Sequence, residues 1–228
     1  MQEKPHRFYE WSKRKQNTFL FLCGMFFLII IGLSFVGLLL GWYWSVFLYP
    51  LIFIVAQFVD TPLGHRSGRL IYFSPLFLVE REGSGGFILH GGTLFDYFFV
   101  FSWKEAGEAV RRQVVEQFIA GLLAFIEYLR TNQMYETRIK GSSYFFSERN
   151  AHRYGFEIVE TEGTQRLILA MNYVVLFVMY SFTRGKVAFP PIREIKTAQS
   201  TGKKLIGKRE QISRVLRRIE GKGNLRSP

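Results

Sequence analysis

A single cysteine, Cys23, in 228 residues leaves this chain unable to build a disulfide framework or a cysteine-ligated zinc site. Histidine is nearly as sparse. His6, His65, His90 and His152 show neither an i, i+4 pair nor any other short metal-ligand spacing, so neither a metal nor a cofactor is expected. Signatures of nucleophilic or nucleotide chemistry are also missing. His90-Gly91-Gly92-Thr93 has the outline of an oxyanion loop, but no Gly-x-Ser-x-Gly elbow accompanies it. Gly83-Ser84-Gly85-Gly86 lacks the strand-then-helix setting of a phosphate loop, and Ser200-Thr201-Gly202-Lys203 lacks the upstream glycine of a Walker loop. All three read as turns. Internal repeats and low-complexity tracts are lacking too.

Acidic residues are the scarcer charge, 18 against 30 Lys and Arg, and the imbalance is local. Residues 60–190 carry 14 basic and 13 acidic side chains, whereas residues 191–228 carry 11 and 3. The first 17 residues add five basic groups, Lys4, Arg7, Lys13, Arg14 and Lys15. Basic character therefore belongs to the flanks and not to the central domain.

Charge is absent altogether from Thr18 to Leu40, and a second apolar run, opening with Trp42-Tyr43-Trp44, continues to Val59. At about 1.5 Å per helical residue, the first run is about 34 Å long, enough to cross a hydrocarbon core. The second is shorter and holds Pro50 and Gln57, yet reaches the minimum for a span. The first run is too long for a signal-peptide core, and no small-residue cleavage site follows it. The chain is thus expected to be a membrane protein with a transmembrane hairpin over residues 18–59. Lys and Arg before the first span, and Arg66 and Arg69 after the second, place both termini in the cytoplasm. Trp42, Tyr43 and Trp44 would sit at the opposite interface, with Phe8, Tyr9 and Trp11 as the cytoplasmic anchor. Gly24, Gly32, Ser34 and Gly37 are small positions that would let helices pack closely, including in a homo-oligomer formed through the hairpin.

Residues 60–190 are expected to form a cytoplasmic α+β domain of mostly antiparallel strands and one long helix. Asp60 to Gly64 reads as a turn ending the second span. A strand from Arg69 to Val79 is interrupted at Ser74-Pro75, and Glu80 to Gly86 turns into a partner strand at Phe87–His90. Ser102 with Glu105 is spaced as a capping box. The helical stripe Val110, Val114, Phe118, Leu122, Ile126 and Leu129 follows, and Asn132 is the stop. Ile139 then marks a strand, Gly141-Ser142-Ser143 a turn, and Phe156–Val159 a strand in a hairpin with Arg166–Tyr180. Leu167–Phe182 is the third apolar stretch. At about 16 residues, rich in Val, Tyr and Phe and holding Asn172, it reads as a buried strand or strand pair, with a third span as the alternative.

Two regions present polar chemistry. The loop Ser147–Tyr154 offers Arg149 and Arg153 as planar donors and Tyr154 as a stacking face. In the tail, Lys203–Glu220 places Leu205, Ile212, Val215, Leu216 and Ile219 near one helical face. Lys203, Lys204, Lys208, Arg209, Arg214, Arg217 and Arg218 supply the basic remainder. Such a basic amphipathic helix suits membrane lipid headgroups, nucleic acid or an acidic protein. His90 and Asp96, six apart across a glycine turn, are the one candidate acid/base pair; with Glu148 and His152 they would form the site of a membrane-bound enzyme acting on a lipid or nucleotide.

Two spans at Thr18–Leu40 and Trp42–Val59, with a compact cytoplasmic domain behind them, give a layout that resembles the two-span effectors of bacterial anti-phage systems paired with retron reverse transcriptases. The resemblance is one of topology and carries no family residues across. It implies a non-enzymatic effector at the inner membrane, held inactive by a protein or nucleoprotein partner, with the basic tail as its contact. Release would then let the hairpins associate and depolarise the membrane. A component of a conjugation or secretion apparatus is the other non-enzymatic alternative.

Overall fold

The computed structural model describes residues 5–83, 85–102, 104–143, 148–160, 163–191 and 196–224. A short helix α1 (Arg7–Glu10) precedes α2 (Lys13–Leu39), whose N-cap Ser12 accepts from the Lys15 amide. A 3-10 turn (Tyr43–Leu48) leads into α3 (Tyr49–Arg66), which begins with Pro50 in its first turn, where a missing N–H costs nothing. α2 and the helical run Tyr43–Arg66 are each long and apolar enough to cross a membrane. The outer surface of α2 is bare, with Phe21 66% and Phe35 62% exposed, and so is that of the 3-10 turn, where Phe47 is 83% exposed; the apolar side chains of α3 are mostly half-buried. The two helices are paired at one end, where the Arg66 guanidinium donates to Asn17 Oδ1 at 2.8 Å and Gln16 Oε1 at 3.0 Å.

The turn expected at Asp60–Gly64 is helical. Thr61 and Pro62 are buried in α3, and Gly64 lies against Leu70, so contacts with the domain carry the helix past a residue that normally interrupts one.

Beyond the hairpin lies an α+β domain. Strands β1 (Leu70–Ser74), β2 (Phe77–Arg81) and β3 (Phe87–Gly91) form an antiparallel meander around the expected breaks. Helices α4 (Leu94–Val100) and α5 (Glu108–Thr131) cross over to β4 (Arg138–Ser143), which pairs parallel with β3, Phe87 opposite Ile139. Helix α6 (Glu148–Arg153) and β5 (Glu157–Val159) follow, then α7 (Gly163–Met171), α8 (Tyr173–Arg184), β6 (Lys196–Thr201), α9 (Gly202–Gly207) and α10 (Arg209–Asn224). The mixed sheet runs β1-β2-β3-β4-β6-β5.

Several expectations are corrected. Leu167–Phe182 is helical, not a strand: α7 and α8 meet at Asn172, whose side-chain amide donates to the Ile168 carbonyl. The partner of β5 is β6, so the hairpin with Arg166–Tyr180 does not form. β6 comes from the segment assigned to the basic tail. Gly141-Ser142-Ser143 does not turn but continues β4, paired with Ala198, Thr197 and Lys196. Gly141 can do so because its missing side chain leaves room for Leu89, 3.3 Å from where a Cβ would lie. The capping box at Ser102–Glu105 is not made; α5 starts after Gly107 at φ 79°, a left-handed turn suited to glycine.

α5 buries Val110, Val114, Ile119, Leu122, Phe125, Ile126 and Leu129, and ends at Asn132 as its spacing predicts. The principal core joins this face to Phe77, Val79, Phe87, Leu89, Ile139 and Ala198 of the sheet. Each large apolar side chain buried there contributes about 1.5–3 kcal/mol. A separate cluster of Phe8, Leu20, Phe95 and Phe99 fastens the hairpin to the domain. Phe8 is fully buried and does not act as the interfacial anchor expected of it.

Candidate functional site

Hairpin and domain meet at a buried polar joint built around Asp96, which is fully excluded from solvent. The joint originates in a local rule. Thr93 caps α4, its hydroxyl facing the Asp96 amide, and Asp96 at the third helical position reaches back. Asp96 Oδ2 accepts from the Thr93 amide at 2.7 Å and the Thr93 hydroxyl at 2.8 Å. That leaves Oδ1 for two groups brought from elsewhere. The Tyr72 hydroxyl of β1 donates to it at 2.5 Å, and His6 Nε2, just before α1, lies 3.2 Å away.

Residues of α3 complete the surround. The Thr61 hydroxyl donates to Thr93 Oγ1 at 3.2 Å, and Gln57 Oε1 accepts from the Leu94 amide at 2.8 Å. The His65 ring lies 5.0 Å from Tyr72 and 4.9 Å from Tyr9 between ring centroids. His6 itself is caged by rings, stacked on Phe99 at 5.7 Å and edge-on to Phe95 at 5.3 Å. Its Nδ1 has no hydrogen-bond partner among the described residues. One residue further on, Arg7 donates to the carbonyls of Phe99 at 2.7 Å and Phe101 at 2.8 Å, capping the carbonyl end of α4 with a positive charge.

Burial, and then the Asp96 charge, push the Tyr72 hydroxyl far above the ordinary tyrosine range; burial does the same to Tyr9. Both stay neutral, and the Tyr72 hydroxyl keeps its proton directed at Asp96. A buried carboxylate with this many donors is held in place, and the Thr93 and Tyr72 hydroxyls beside it are both committed to Asp96. The geometry is that of a clamp.

His90 and Asp96, the candidate acid/base pair, are not partners. His90 Nε2 lies 3.0 Å from Glu80 Oε2 on neighbouring strands, with Arg69 at 2.9 Å from the other Glu80 oxygen. These partners, His90 foremost, hold the Glu80 carboxyl down at about 2. Among the described residues, no group of three or more His, Cys, Asp and Glu side chains could hold a metal ion.

The two basic regions come together on the far side of the domain. The turn after α6 sits directly on α9: a Cβ on Gly155 would lie 3.1 Å from both the Lys204 carbonyl and Lys208 Cγ. Arg153 is exposed there, while Tyr154 is half-buried against the core. Arg149 lies in α6, its side chain outside the described residues. Lys204 pairs with Glu157 at 2.6 Å, Arg209 with Glu127 at 3.5 Å and Arg214 with Glu210 at 3.7 Å. Arg217 donates to the Ser213 hydroxyl at 3.5 Å, Lys208 is half-buried, and Lys203 and Arg218 are exposed.

The expected single helix over Lys203–Glu220 is broken at Lys208 into α9 and α10. Its apolar face is covered, with Leu205, Ile212, Leu216 and Ile219 all packed in the principal core. Only its basic face is presented outward.

The Thr93–Asp96 spacing is a capping-box signal that would have located the heart of the joint. Nothing in the sequence around His6, a basic terminal segment, marks it as a partner. No family model, curated protein or solved structure matches this chain.

Proposed function

We propose that this chain is a non-enzymatic membrane effector of the anti-phage type. Its hairpin spans the inner membrane with both termini cytoplasmic, and its domain holds a protein or nucleoprotein partner on the basic face around α9 and α10. Freed of that partner, the hairpins associate and perturb the membrane. One observation carries this reading: two long apolar helices, the first with a bare apolar surface, are clamped to a folded domain through the buried Asp96 joint. The bare surface suits lipid, and the clamp offers a rigid connection along which a binding event on the domain reaches the spans.

The test is expression in bacteria with a potential-sensitive dye. Full-length protein should depolarise the membrane once its partner is withheld, and a version lacking residues 1–59 should not. Equal toxicity without the hairpin overturns the proposal. Reversing Arg214, Arg217 and Arg218 to Glu should abolish salt-sensitive co-purification of the partner; undiminished binding would exclude the basic face.

A further inference from the structure

The surface around α7 and α8 carries a second apolar feature that the hairpin does not account for. From Leu167 to Thr183 the chain has no charged residue. Leu167 (60% exposed), Ile168 (47%) and Met171 (46%) sit one and four positions apart on α7, so they share one bare face. Beyond α8, Val187 and Phe189 are 77% and 71% exposed, and Phe189 folds back beside Phe177 of α8 with ring centroids 5.1 Å apart. The two exposed groups thus bracket α8. Exposed apolar side chains grouped in this way mark a place where something other than water is met.

Its position identifies what covers it. α8 packs on α3, and it faces α4 across an apolar hollow lined by Leu94, Tyr97, Phe101, Val178, Met179 and Phe182. α4 in turn lies against the last turns of α3, where Gln57 meets Leu94 and Phe58 meets Phe95 and Phe98. That is the end of the hairpin where Arg66 ties α3 to Gln16 and Asn17. The α7–α8 surface is therefore continuous with the hairpin at the level where its helices leave the apolar region. The cations lie at its margins: Arg166, Arg184 and Lys186, all exposed. An apolar body flanked by basic side chains is the arrangement of a helix lying in the headgroup boundary.

We propose that α7, α8 and the Val187–Phe189 segment lie in the plane of the cytoplasmic leaflet, as a third, non-spanning membrane contact that sets the height and tilt of the domain. This rests on the spanning reading of the hairpin. The occupant is the acyl–headgroup boundary of the same bilayer, with Arg166, Arg184 and Lys186 at the phosphate level.

Full-length protein with Cys23→Ser, carrying one new cysteine at a time, tests it by spin labelling in vesicles of phosphatidylethanolamine and phosphatidylglycerol. The positions are Leu167→Cys, Phe189→Cys, Phe35→Cys in the first span and Lys203→Cys on the basic face. All four side chains are exposed, so labelling leaves the core alone. Labels at 167 and 189 should show an oxygen-to-nickel collision ratio about tenfold above that at 203, resembling the label at 35, as expected at the acyl boundary. Nickel access at 167 and 189 equal to that at 203, with 35 still lipid-like, overturns the third contact and leaves the hairpin standing. Nickel access at 35 as well overturns both. Shielding from both reagents, with broadening on mixing labelled copies, would assign the face to a second copy and equally overturn the lipid assignment.

Discussion

Gly37 of α2 packs directly on Ser45 of the returning 3-10 turn, so close that a Cβ on the glycine would lie 2.6 Å from the serine Cβ. Ser34 and Ser45 are both buried in the same crossing. Gly24 and Gly32, by contrast, have nothing within 4 Å of a Cβ. Of the four small positions in α2, the internal hairpin contact uses Ser34 and Gly37. Gly37→Val should destabilise the hairpin by about 1–3 kcal/mol, the usual cost of overpacking. Gly24→Ala and Gly32→Ala should be near neutral. Thermal unfolding in detergent micelles reads the difference, and equal effects at all three positions would discount the Gly37–Ser45 contact.

At the joint, Tyr72→Phe removes one donor from a buried carboxylate and should cost about 1.5–3 kcal/mol, as for hydrogen bonds to charged groups. Asp96→Leu should cost more, because the Thr93 amide, the Tyr72 hydroxyl and His6 Nε2 all lose their acceptor. Hydrogen exchange offers the local check. Amides of α1 and α4 should lose protection in Asp96→Leu while those of α5 keep theirs.

Glu80 gives the domain an acid-labile contribution. Its carboxyl is lowered from 4.5 to about 2, first by the bond from His90 and further by Arg69. A carboxyl depressed in the folded state adds stability that is complete above the unfolded value of 4.5. It disappears as pH falls through about 2. His90 and Arg69 are both about 40% exposed, so solvent screening limits the contribution to about 1 kcal/mol. Denaturant titrations should show Glu80→Gln about that much less stable at neutral pH, with the gap closing at the acid end. A gap constant with pH would assign the loss to packing.

Gly121 faces Phe77 across the core, where a Cβ would sit 2.4 Å from the Phe77 Cβ. Gly121→Ala raises helix propensity by nearly 1 kcal/mol, yet it forces α5 off the sheet. The clash should win, with a net loss of about 1–2 kcal/mol. A gain in stability on urea unfolding would show that α5 shifts freely.

How much of this was legible in the sequence follows from how each segment is buried. The hairpin helices, the breaks around β2 and the α5 stripe carry long or strictly periodic apolar signals, and they were readable. β6 was not. Its KTAQST sequence is polar, and its buried side chains, Ala198 and Ser200, are small, so it carries no apolar alternation to read. Leu167–Phe182 misled in the opposite way. It is uncharged throughout and divided at Asn172 into two short helices, and its Val, Tyr and Phe content imitates a strand. The tail's amphipathic pattern was legible, but the sequence could not say that α5, and not a lipid surface, would cover its apolar face. The joint is a long-range object. Thr93 and Asp96 announce themselves locally, whereas His6 and Tyr72 arrive through folding.

The link between His6 and Asp96 also orders events during synthesis. The first leaves the ribosome 90 residues ahead of the second, with both long apolar helices between them. His6 therefore has no carboxylate to meet until the helices have been made and α4 has formed. The segment around His6 is fastened only after the hairpin and α4 exist, so the clamp closes late, and non-local contacts of this kind form slowly.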